Sequence, residues 1–306
     1  MSALLKLAKT PSQHKQTPIF LRYVLIVIAC IFVAIFILAP LIALLHEAFA
    51  QGIDGYLDAI ADKETFSAIK LSLLVTFIAV PTNAIFGIAA AWAVTKHDFF
   101  GKTILVTFID LPFAVSPVVA GLIYILVFGR HGVFGPILDS LGIKIIFATP
   151  GIVIATLFVT FPMVARELIP LMTTQGREEE QAAQVLGANG WQMFWRVTLP
   201  NIKWGLIYGV ATSTARAMGE FGAVSVVSGH IRGLTNTLPL LVEIRYNEYE
   251  FVGAFACASL LTLFALFTLA IKSYVEWQSK QNLKRGVIMQ RIVGPIIEEQ
   301  SSGNPD

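Results

Sequence analysis

Arg216 and Glu220 stand in the middle of a long apolar run, and their spacing limits what they can do. Four residues apart on a helix, they share one face. Ionisable side chains inside an apolar span are candidates for function by default. Two readings stay open. Either the pair simply neutralises itself, or Arg216 faces a path through the membrane and favours an anion, with Glu220 holding its orientation or gating. Ser213, Ser225 and Ser228 add hydroxyls to the same run. An earlier run, Asp110-Leu-Pro112-Phe-Ala-Val-Ser116-Pro117, opens with a carboxylate and is broken by two prolines. A lipid-facing helix tolerates such a segment badly, so it is expected to face a bundle interior.

The other reactive residue types form no catalytic set. His14, His46, His97, His131 and His230 make no ligand pair, and His46-Glu47 lacks the second histidine of a zinc protease helix. No Gly-x-Ser-x-Gly element occurs. Gly101-Lys102-Thr103 would need a glycine five positions earlier to cradle phosphate, and Lys96 stands there. The chain is therefore expected to be no enzyme, to bind no cofactor or metal of its own, and to take energy from a partner or an ion gradient. Cys30 and Cys257 fall inside apolar runs and are expected to be buried thiols rather than a disulfide.

A third candidate region lies outside the apolar runs. Glu178-Glu179-Glu180-Gln181-Ala182-Ala183 suits the first turns of a helix, where carboxylates complement the N-terminal dipole. Gly187 and Asn189-Gly190 interrupt it, and a second short helix is expected to follow. Trp191, Phe194, Trp195 and Thr198 recur there at helical spacing as an aromatic face, which Pro200 should end. The stretch reads as helix, turn and helix in water between two spans. Amphipathic helices that lie on a bilayer usually carry Lys and Arg on their polar face, whereas this one opens acidic.

The elements that position these residues are membrane helices. At 306 residues, 56% hydrophobic, 14% charged and a mean hydropathy of +0.71, the chain is too apolar for a soluble domain. An all-α polytopic fold of about six spans is expected, at 20–45, 67–95, 103–128, 150–172, 205–228 and 251–275. A tail at 1–19, a transmembrane domain at 20–278 containing a loop at 173–204, and a tail at 279–306 complete the division. The first run is longer than a signal-peptide core and is expected to stay as an anchor.

Basic residues orient the spans. The N-terminus (Lys6, Lys9, Lys15, Arg22), the second loop (Lys96, Lys102), the fourth loop (Arg177, Arg196, Lys203) and the C-terminus (Lys272, Lys280, Lys284, Arg285, Arg291) hold fourteen. The other side holds six: Lys63, Lys70, Arg130, Lys144, Arg232 and Arg245. Both termini and the 173–204 loop are therefore expected in the cytoplasm. Gly205 and Gly209 form one small-xxx-small pair suited to close helix packing.

The loop resembles a signature of ABC importer permeases, E-A-A, three residues, G, nine residues, I, one residue, L-P. Ala182-Ala183, Gly187, Val197 and Leu199-Pro200 fall at those offsets. Gln181 replaces the usual Glu, with Glu179 and Glu180 just before it, and Val197 replaces Ile. The resemblance implies a coupling helix that docks on a separate ATPase, and a type I ABC importer permease-like fold. Further on, Ala215-Arg216-Ala217-Met218-Gly219-Glu220-Phe221-Gly222-Ala223-Val224-Ser225-Val226-Val227-Ser228-Gly229 resembles the sulfate/thiosulfate permeases, specifically their W-type subunits. Ile231-Arg232-Gly233, Thr237-Leu238-Pro239-Leu240, Phe113-Ala-Val-Ser116-Pro117-Val-Val-Ala-Gly121 and Arg166-Glu167-Leu168 agree with that, and the resemblance runs from residue 20 to about 285. It implies uptake of sulfate or thiosulfate in a bacterial inner membrane, driven by two copies of an ATPase that uses ATP-Mg. It also implies a T-type permease partner, a periplasmic sulfate/thiosulfate-binding protein, contact with membrane lipid and no nucleic acid. Molybdate permeases share the Arg-Ala-x-Gly-Glu-Phe-Gly core, which keeps a related oxyanion open. An ion-coupled secondary transporter is the remaining alternative, since broken helices and buried ionisable residues occur there too.

Overall fold

A computed structural model describes residues 19–302, with side chains over 20–278. The lysines and arginines of the two tails lie outside the described side chains. The chain divides at Glu47 into two units. The first holds α1 (Ile19–Val33) and most of α2 (Ala39–Ala48), joined through a π turn at Ala34–Leu38. The span from Phe20 to Ala48 is long and apolar enough to cross a bilayer by itself. Cys30 is exposed on it, contrary to the buried thiol expected, whereas Cys257 in the second unit is buried.

The second unit is helical throughout its described residues. It comprises α3 (Gly52–Ala61), α4 (Lys63–Lys96), α5 (Lys102–Ala114), α6 (Pro117–Phe128), α7 (Gly135–Ser140), α8 (Thr149–Gln175), α9 (Glu178–Val185), α10 (Gly190–Met193), α11 (Leu199–Met218), α12 (Gly222–Ser228), α13 (Leu238–Asn247) and α14 (Phe251–Ser302). The centre is α8, which packs on α4, α5, α11 and α12. On α4, Ala68, Leu71, Val75, Ala79, Asn83, Gly87, Ala91 and Val94 are buried at three- and four-residue intervals, one stripe facing the core. Between the two helices the Asn83 side chain donates to the Leu157 carbonyl at 3.2 Å and to Thr160 Oγ1 at 2.7 Å, so the one buried amide on the stripe is satisfied.

Glycines set how close these helices come. A Cβ on Gly87 would lie 2.8 Å from Val164 Cβ and 3.1 Å from the Ala165 nitrogen. One on Gly205 would strike Leu171, and one on Gly209 would lie 3.2 Å from Val164 Cα, so the small-residue pair does pack α11 onto α8. Gly87→Ala is expected to force the helices apart at a cost of about 1–3 kcal/mol. A thermal midpoint in detergent several degrees below the parent's checks this, and an unchanged midpoint would show that the contact relaxes freely.

Several prolines sit inside or at the start of helices rather than ending them. Pro81, Pro112 and Pro162 lie inside α4, α5 and α8. Pro200 begins α11 rather than stopping the helix before it, because a π turn at Phe194–Thr198 carries α10 into α11. The Leu199 amide bonds to the Phe194 carbonyl, five residues back, and the Ala39 amide bonds to Ala34 in the same way just before Pro40. Each widened turn directly precedes an X-Pro pair, where an ordinary turn would push the ring into a carbonyl.

Two expected spans are broken. Residues 103–128 form α5 and α6, bent by 107° at Val115-Ser116, because the residue before Pro117 is held extended. Within this chain only a narrow stripe of that run faces inward, with Ile109, Pro112, Ala120 and Gly121 buried and Phe108, Phe113 and Ser116 exposed. Residues 205–228 split at Gly219–Phe221 into α11 and α12. Among the described residues, four helices are long and apolar enough to cross a membrane, or five with the bent pair. The more polar α11 is packed among α4, α8 and α14.

Candidate functional site

The acidic start of α9 is tied to the bundle. Glu180 Oε2 lies 3.0 Å from Lys96 Nζ at the end of α4, and Glu180 Oε1 accepts from Thr198 Oγ1 at 2.7 Å. Lys96 also donates to the Gly176 carbonyl at 2.6 Å, and Asn201 donates to Glu179. Arg177 reaches the Thr95 carbonyl, and Gln175 reaches that of Asn201. Beside this corner, a hydrogen bond from Lys102 holds the exposed Asp98 carboxyl below the usual carboxylate range. Glu179 and Glu180, expected from the sequence as contacts for a partner, thus make their contacts within the chain.

The far end of α9 is apolar and bare, beyond exposed Glu178, Gln181 and Gln184. Val185 and Leu186 are 87% and 88% exposed at its end, next to exposed Gln181 and Ala182, while Ala183 is half-buried. Gly187 turns the chain with φ +84°, and nothing lies within 4 Å of where its Cβ would be. Asn189 and Gln192 then form a capping box that starts α10. The aromatic face divides. Phe194 packs on Trp92 with centroids 5.7 Å apart, and Thr198 is buried, whereas Trp191 and Trp195 stay exposed. Leu199 is half-buried and Pro200 exposed at the entry to α11.

Of the candidates within the helical bundle, Arg216 Nη1 and Glu220 Oε2 lie 2.8 Å apart, an ion pair without the alignment of a hydrogen bond. The Glu220 side chain is 1% exposed and that of Arg216 is 37% exposed. Glu220 Oε1 accepts from the Ala223 amide at 2.9 Å, so this carboxylate sits in the break and caps α12. Both open readings survive in part, since the pair forms yet the guanidinium keeps an open side. Ser213 and Ser228 are fully buried, and Ser225 bonds the Gly222 carbonyl. Asp110 pairs with Arg166 at 3.5 Å, with Ser116 exposed at the α5–α6 bend. The candidates therefore fall into two ion pairs and scattered hydroxyls rather than one pocket.

Sequence reasoning missed two arginines. Arg245, counted only as a loop charge, is 4% exposed. It reaches Asp62 at 2.7 Å and Glu250 at 3.7 Å, and Asp62 itself caps α4. No spacing rule connects residues so far apart in the chain. Arg166 was quoted in a motif but given no role, although an ionisable residue within a span is itself a signal.

The "Sulfate transport system permease protein CysW" of Escherichia coli K12 is 50% identical over 264 residues, covering 86% of this chain and 91% of that one. The Synechococcus elongatus protein of the same name is 48% identical over 276 residues, covering 90% and 96%. In three dimensions the fold matches a chain in the crystal structure of a bacterial alginate ABC transporter with its alginate-bound periplasmic protein. The TM-score is 0.70 at 18% identity, covering 86% of this chain and 94% of that one. This is the expected type I ABC importer permease-like fold. The family profile described as "Binding-protein-dependent transport system inner membrane component" matches residues 83–278, taking in the bent pair, α9 and the Asp110–Arg166 and Arg216–Glu220 pairs. The chain belongs to that family of multi-pass inner membrane permeases.

Proposed function

We propose that this chain is the W-type permease subunit of an ATP-driven importer for sulfate and thiosulfate. It forms half of a translocation path, a T-type permease subunit forms the other half, and a periplasmic binding protein delivers the anion. The observation that carries the coupling role is α9, braced from behind by Lys96–Glu180 and presenting Val185 and Leu186 bare. An apolar tip on a braced helix suits a groove on another protein far better than it suits water. Two copies of a separate ATPase, hydrolysing ATP-Mg, would supply the force. The charge asymmetry described above supports cytoplasmic termini and a cytoplasmic α9. Half-identity to two proteins named as sulfate permeases supports the choice of anion.

Deleting the gene in its own host is expected to lower uptake of radiolabelled sulfate by roughly tenfold or more. Unlabelled thiosulfate should compete with sulfate for uptake in the parent strain, and molybdate uptake should be unchanged by the deletion. Loss of molybdate uptake instead would move the assignment to the related oxyanion. Transport by the chain alone in ATP-free vesicles would replace it with an ion-coupled carrier.

A further inference from the structure

Arg166 and Asp110 stand at matching depths on two membrane helices. Arg166 is nine residues short of the end of α8 at Gln175, and Asp110 is eight residues past the start of α5 at Lys102. At 1.5 Å per residue both lie about 12–14 Å from the end of the bundle that carries α9. Arg216 lies seventeen residues beyond Leu199, about 26 Å along α11, and so belongs to the opposite half.

The lower pair is open. The Arg166 and Asp110 side chains are 56% and 48% exposed, and Nε to Oδ1 is 3.5 Å, an ion pair without a hydrogen bond. The guanidinium also lies over the ring of Phe113, 4.7 Å from its centroid, and that ring is itself exposed. Among the described residues Asp110 is the only carboxylate Arg166 meets. Hydrocarbon is a poor surrounding for two half-exposed charges at this depth, so this face of α5 and α8 looks onto water or another polar surface. A guanidinium held loosely by one carboxylate, with its fork free and its plane fixed on a ring, suits exchange with a tetrahedral dianion.

We propose that Arg166 is a second oxyanion-contacting residue, in the inner half of the path, and that Asp110 is its positioning residue. The passing dianion displaces Asp110 from the guanidinium, and Asp110 reclaims it once the anion has left. A neutral resting pair keeps the site from trapping its substrate. This rests on the sulfate reading above, and the test separates the two.

The test uses thiol accessibility in host cells whose sole copy carries Cys30→Ser, with Cys257 left in its buried site. Arg166→Cys, Asp110→Cys and, as a control on the outer face of α4, Phe77→Cys are exposed in inverted membrane vesicles to an anionic, water-soluble methanethiosulfonate. Because only a hydrated thiolate reacts, the thiols at 166 and 110 are expected to react roughly tenfold faster than that at 77. Millimolar sulfate should slow the reaction at 110, where Arg166 is still present to hold the anion, by about threefold. Reaction at 166 and 110 no faster than at 77 would overturn the proposal, as would fast reaction at 110 indifferent to sulfate. Should Arg166→Cys fail to reach the membrane, Asp110→Cys reports on the same space. Uptake measured after gene deletion tests the sulfate reading separately; if molybdate uptake is lost instead, molybdate takes the place of sulfate as the protecting anion, and the rates measured without anion stand as they are.

Discussion

Glu180→Lys is expected to leave the protein in the membrane and to cut its transport sharply. Lys96 and Glu180 are both largely buried beneath α9, and reversal would set two ammonium groups where a 3.0 Å ion pair stood. Removing one partner of a buried pair typically costs about 3–5 kcal/mol. The spans themselves draw on none of this contact, since α4 and α8 are joined by Asn83, Gly87 and a long apolar stripe. The loss therefore falls on α9, which loses its brace and the Thr198 hydrogen bond. Sulfate uptake should fall roughly tenfold or more while membrane abundance stays near the parent's. Combining Lys96→Glu with Glu180→Lys restores the pair and should recover much of the activity. Full uptake in the single variant would remove the bracing role, and no recovery in the double variant would mean that Glu180 also meets a partner directly.

The second large effect concerns Arg216. Arg216→Ala reads as a simple test of an anion path, but it strands a Glu220 carboxylate that is 1% exposed. An uncompensated charge at that depth costs about 3 kcal/mol even after allowance for the partly exposed guanidinium. The single variant should therefore be depleted from the membrane. Arg216→Ala with Glu220→Gln removes both charges and keeps an oxygen to accept from the Ala223 amide, so abundance should return. If Arg216 serves the anion, uptake stays low in that double variant. If the pair is only structural, uptake returns along with abundance. Immunoblots of washed membranes beside uptake rates decide between them.

Much of this molecule can be read from residue order, because a bilayer leaves few choices. Backbone groups in hydrocarbon must be satisfied internally, so long apolar runs become helices whatever else surrounds them. The helical fold, the membrane class, the position of α9 and the Arg216–Glu220 pairing are all local, set by periods of three or four residues and by the turn at Gly187. The family resemblance was legible in the same way, as short motifs at fixed spacing. Tertiary structure decided everything that joins distant residues. Lys96 meets Glu180, Asp110 meets Arg166 and Asp62 meets Arg245, and no periodicity foretells partners so far apart in the chain. It also decided what the turn before Pro200 packs against, since Phe194 rests on Trp92 and Thr198 bonds Glu180. Which charges face inward was settled the same way, because ionic contacts follow from packing and packing is a property of the whole bundle.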